Sequence, residues 1–64
     1  MNIEIIVQTV SGNIYRADAE NISEQGLNEF RSVLRDWHTM KYFSLGNQSF
    51  NPANIEYVEL VVKS

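Results

Sequence analysis

The chain has 64 residues, with five Lys and Arg against eight Asp and Glu, one His and no Cys, for a net charge of −3. A chain of this length makes one domain and buries only about 60% of the surface that its unfolded form exposes. Disulfides and thiolate metal sites are excluded by the lack of Cys and a His-rich metal site by the single His, and the negative balance argues against broad phosphate-backbone binding, which needs a clustered positive field. No cofactor or metal is expected. Of the usual supports for a very small domain, association with a second chain is the one left open.

The opening residues Met1-Asn2-Ile3-Glu4 carry no basic segment and lead into no long apolar segment, so they do not read as a secretion signal. The longest apolar runs, Ile5-Ile6-Val7 and Leu60-Val61-Val62, are three residues each, far below the ~20 that span a bilayer. The expectation is a cytoplasmic protein with no membrane contact.

In chain order, Ile3, Ile5 and Val7 alternate with Glu4 and Gln8, a β-branched, period-two run that predicts a strand. Ser11-Gly12-Asn13 supplies a tight turn and Ile14–Ala17 the returning strand. The stretch from Asp18 to Ser23 reads as a connector. Ser23 or Asn21 can cap a helix, Asn21 and Glu24 having capping-box spacing. Gly26 is a weak spot in that helix, costing ~1 kcal/mol relative to Ala. Leu27, Phe30, Val33 or Leu34, and Trp37 then recur at three- and four-residue steps, one apolar stripe of about four turns.

His38-Thr39-Met40 ends the helix. Lys41–Leu45 predicts a short strand, Gly46-Asn47 a turn, and Gln48-Ser49-Phe50 the return. Asn51-Pro52-Ala53-Asn54 reads as one helical turn, with Asn as cap and Pro at the first helical position. Ile55 would tuck that turn against the core, and Tyr57–Val62 is the last strand. The fold class is α+β: two layers in the order β-β-α-β-β-β, with a mostly antiparallel sheet and one helix on one face.

One helix covers one face of a sheet. Ile3, Ile5, Val7, Phe43, Leu45, Val58, Leu60 and Val62 form the covered set. Their neighbours point the other way, and Ile6, Val10, Tyr42, Tyr57 and Val61 make that second face mixed rather than polar. These five residues are the candidate protein interface, with a second copy or another protein as partner.

Little in the sequence carries chemistry. His38 has no carboxylate positioned by sequence to orient it, because Asp36 lies two residues away on a different side of the helix. Glu56 and Glu59 fall on opposite faces of a strand, while Glu20 and Glu24 read as acids at a helix start. None of the three glycines sits in a phosphate loop. Arg31, Arg35, His38 and Lys41 fall beside Trp37, Tyr42 and Phe43, a local basic and aromatic cluster on an acidic chain. Such a cluster suits single-stranded nucleic acid or a protein contact, so nucleic acid stands as the alternative partner.

No catalytic residue is assigned. The reading is a small non-enzymatic interaction module, homodimeric, that binds another protein. In general style the chain is tiny, acidic, Cys-free and rich in Asn, and it resembles the short reading frames of phages and mobile elements in low-GC bacteria. That resemblance implies a modulator of a host protein or defence factor. Phe50–Ile55, leading into a strand, is similar to a strand-turn-strand joint of several unrelated small β-rich domains, which implies local geometry only.

Overall fold

Alternation along the first strand, β1 (Ile3–Thr9), sets the inside and outside of the molecule: Ile3, Ile5, Val7 and Thr9 are buried, and Glu4, Ile6 and Gln8 are half-buried. The structure, a computed structural model, describes residues 1–63. β1 is the central strand of an antiparallel sheet, flanked by β2 (Ile14–Ala19) and by the C-terminal strand β5 (Ile55–Val62). Between these lie helix α1 (Glu24–Arg35) and a hairpin of β3 (Phe43–Leu45) and β4 (Gln48–Phe50). All strand pairing is antiparallel and there is one α-helix, so the α+β class and the element order stand as read from sequence.

The hairpin does not extend the three-stranded sheet. With three residues a strand it pairs only with itself and folds onto the inner face. There Phe43 and Phe50, opposite each other in the ladder, pack with Val7 and Ile55. The Tyr15 ring meets Phe50 edge-to-face at 5.1 Å. Under α1 a second cluster joins Ile3, Ile5 and Leu27, and Leu34, Leu45 and Val58 pack against both. Helix and hairpin thus divide the inner face between them. Each Ile, Val, Leu or Phe that they bury contributes roughly 1.5–3 kcal/mol.

Two local devices steer this packing. The first hairpin closes with Thr9 N–H donating to Asn13 O at 2.9 Å, and Gly12 (φ 93°) supplies the left-handed residue of the loop. Thr9 is buried, but its hydroxyl is shared with the Ser11 hydroxyl at 2.9 Å and accepts from Asn13 N–H at 3.2 Å, so no polar atom is stranded. The second device is a bulge. Gln8 faces Tyr57 while Thr9 faces Ile55, leaving Glu56 as the extra residue. Without it Ile55 and Tyr57 would share a face; with it Ile55 turns inward and is 5% exposed, while Tyr57 is 41% exposed.

The helix is shorter than the sequence stripe suggests. Ser23 caps it, its hydroxyl accepting from Gly26 N–H at 3.1 Å, and Asn21 instead takes a left-handed turn (φ 56°) between β2 and the cap. The α-helix ends at Arg35. Asp36 N–H turns back to Val33 O at 3.2 Å and a 3₁₀ turn, Trp37–Thr39, follows. That break lets Trp37, half-buried, reach the Phe43–Phe50 cluster. β2 also runs further than Ala17, so Asp18 and Ala19 belong to the sheet and not to the connector.

Candidate functional site

Neither α1 nor the β3–β4 hairpin packs on the outer face of the three-stranded sheet. The register places three rows there: Ile14, Gln8 and Tyr57; then Arg16, Ile6 and Glu59; then Asp18, Glu4 and Val61. Ile14 and Tyr57 flank Gln8, and Ile6 sits next to it in the central strand, so three apolar side chains surround one amide. The remaining positions are mostly charged. Arg16 Nη1 lies 3.5 Å from Glu4 Oε1, and Lys63 Nζ lies 3.5 Å from Asp18 Oδ1. Both pairs are solvent-screened and worth ~0–1 kcal/mol.

Of the five residues singled out for the second face, Ile6, Tyr57 and Val61 lie together on this outer face. Val10 falls in the turn after β1, where its N–H donates to Asn54 O at 2.9 Å. Tyr42 lies just ahead of β3 and is 65% exposed. Ile14, 52% exposed, is the apolar member that the sequence pattern missed. The signal was present in the alternation of β2, where Tyr15, Ala17 and Ala19 take the inner face and leave Ile14 outside.

The sheet also has two open edges. Thr9 N–H pairs with Asn13 O and Lys63 N–H with Asn2 O, at 2.9 and 2.8 Å. Antiparallel ladders alternate between bonded and unbonded pairs. The odd residues of β1 therefore bond to β2 and the even ones to β5. The backbone groups of Ile14, Arg16 and Asp18 then point outward from β2, and those of Val58, Leu60 and Val62 outward from β5.

The basic and aromatic cluster is not a single surface. Arg31, Arg35, His38 and Lys41 are all exposed, and none forms an ion pair among the described residues. Trp37 is committed to the core rim and Phe43 is buried, which leaves Tyr42 as the exposed aromatic of this stretch. The His38 ring packs against Trp37 in a T-shaped pair, 5.8 Å between centroids, and among the described residues no carboxylate pairs with it.

Two of the surface depressions lie on α1 and beside β4. One is a notch on α1 lined by Gly26, Glu29, Phe30 and Val33. The other lies between the turn after β1 and the β4 end, where hydroxyl and amide side chains of Thr9, Ser11, Asn13, Gln48, Asn51 and Asn54 surround Tyr15 and Phe50, with no charged group. Neither holds the acid–base pair or nucleophile–base pair that acyl or phosphoryl transfer needs. Among the described residues no three His, Asp or Glu side chains converge on a common point, and no helix is long and apolar enough to cross a membrane. No family model, no curated protein and no solved structure matches the chain.

Proposed function

We propose that this chain is a small non-enzymatic protein-interaction module that works as a homodimer and presents the outer face of its sheet to another protein. One observation carries the reading: Ile14, Ile6 and Tyr57 gather on the sheet face that the fold leaves open, rimmed by Arg16, Glu59, Glu4 and Asp18. Apolar side chains bordered by charged ones are a feature of protein interfaces. Size argues for two copies. Strands ~4.8 Å apart, with same-face residues ~6.8 Å apart, give three rows of three a plan area of roughly 300 Å². A standard interface takes about 800 Å² from each partner, so one copy alone offers too little.

The test is affinity capture from an extract of the cells that make the protein, with wild type, Ile6→Asp and Tyr57→Asp as baits. All three baits are first shown to be folded by circular dichroism. A partner held by wild type and lost from both variants supports the reading. Equal retention by all three, or no retention by wild type, overturns it.

A second reading rests on the four exposed basic residues of the α1–β3 segment. It places single-stranded nucleic acid along Arg31, Arg35, His38 and Lys41, and it requires affinity that falls steeply with salt.

A further inference from the structure

We infer that the homodimer forms by antiparallel pairing of two β2 edges about a two-fold axis at Ala17, which joins the two outer faces into one six-stranded surface. This inference rests on the interaction-module reading and names the partner of the edge as a second copy of this chain.

Glu4 and Asp18 are directly opposite across the β1–β2 ladder, and like charges so placed are unfavourable. Within one chain the relief comes from the flanks: Arg16 reaches Glu4, and Lys63 reaches Asp18, each at 3.5 Å. Arg16 and Asp18 stand on either side of Ala17, and both point their backbone groups outward. A two-fold axis at Ala17 brings Arg16 opposite Asp18 of the second copy, twice. The central strip then alternates in sign, each Asp18 gaining the cation that its own ladder partner denies it.

The other registers fail this criterion. An axis at Arg16 opposes two guanidiniums, and an axis at Asp18 opposes two carboxylates. An axis at Tyr15 sets Arg16 against Ile14 and shortens the ladder. β5 is the longer edge, but it carries Glu56 and Glu59 and no cation, so within the strand it cannot match charge with itself. Backbone hydrogen bonds supply the affinity of strand addition, and the charges select the register. The axis at Ala17 leaves Ile14, Ile6 and Tyr57 of both copies uncovered on one face, which doubles the plan area to roughly 600 Å² against about 800 Å² for a standard interface.

In this register Ala17 faces Ala17 of the second copy as an unbonded pair, with Cα atoms about 4.5 Å apart, within the range that a disulfide spans. The native chain has no Cys, so an introduced thiol is the only one present. Ala17→Cys is expected to form a covalent dimer under mild oxidation on a non-reducing gel, while Glu59→Cys, which would report β5 pairing, stays monomeric. Cross-linking of Glu59→Cys, of both variants, or of neither overturns the inference.

Because Ala17 is half-buried, exposed charges give an independent measurement. Arg16→Asp and Asp18→Arg should each weaken self-association about tenfold in sedimentation, and the double variant should restore it. A double variant as weak as the singles refutes the charge pairing. Failure of these experiments removes the self-pairing and leaves the capture experiment with Ile6→Asp and Tyr57→Asp to decide the outer face separately.

Discussion

Ile55 and Tyr57 are two apart on one strand, yet the bulge at Glu56 sends them to opposite faces. Ile55→Ala and Tyr57→Ala therefore make a sharp pair. Ile55 is 5% exposed and packs with Val7, Phe43 and Phe50. Truncating a buried Ile to Ala costs about 2–5 kcal/mol in transfer and cavity terms. Tyr57 stands on the open face, 41% exposed beside Gln8. Its loss removes cross-strand contact worth under about 1 kcal/mol. A domain of this size has roughly 3–10 kcal/mol of stability, so the first variant should lose a large fraction of it and the second little. Urea unfolding followed by circular dichroism reads both. With a slope near 1 kcal/mol/M, the midpoint should fall by about 2 M or more for Ile55→Ala and by under about 1 M for Tyr57→Ala. Equal shifts, or a larger one for Tyr57→Ala, would refute the bulged register and with it the composition of the outer face.

Other variants probe single devices. Ser23→Ala removes the helix cap and should cost about 1 kcal/mol, whereas Ser23→Asp keeps an acceptor and should change little; thermal melts distinguish them, and no difference would remove Ser23 as the cap. Gly46 turns β3 into β4 at φ 60°, so Gly46→Val should destabilise by about 1–3 kcal/mol while Gly46→Asn is tolerated far better. A labelled single-stranded oligonucleotide should show no saturable binding in fluorescence anisotropy at low salt. Saturable binding that Arg31→Glu with Arg35→Glu abolishes would move the functional surface to the helix.

Period-two alternation was enough to place Ile3, Ile5 and Val7 inside, and three- and four-residue spacing enough to place Leu27 and Phe30 under the helix, while the choice between Val33 and Leu34 falls to Leu34 only in the packed fold. What stayed hidden follows from tertiary choices that a local pattern does not encode. Trp37 continues the helical spacing by number, but the helix ends at Arg35 and the indole packs against the Phe43–Phe50 cluster from a 3₁₀ turn. Ile55 inside and Tyr57 outside follow from the sequence, but the extra residue Glu56 that separates their faces leaves no mark in it. Asp18 and Ala19 look like connector residues, and only the pairing of Ala19 with Ile3 and of Asp18 with Glu4 makes them strand. The outer face was legible at Ile6, Tyr57 and Val61. Val10 falls outside it because it lies beyond the end of β1, and Tyr42 because its hairpin forms a sheet of its own; Ile14 joins it through the alternation of β2.

Residue-resolved amide hydrogen exchange at two protein concentrations addresses most directly the claim that this chain acts through its sheet. Arg16 and Asp18 direct their N–H groups away from β1, so in a lone chain they exchange with water, whereas Tyr15 and Ala17 are bonded to β1 and protected. The β2 pairing predicts that protection of Arg16 and Asp18 rises with concentration while Val58 and Leu60, on the β5 edge, stay open. Arg16 and Asp18 exchanging freely at both concentrations would contradict it.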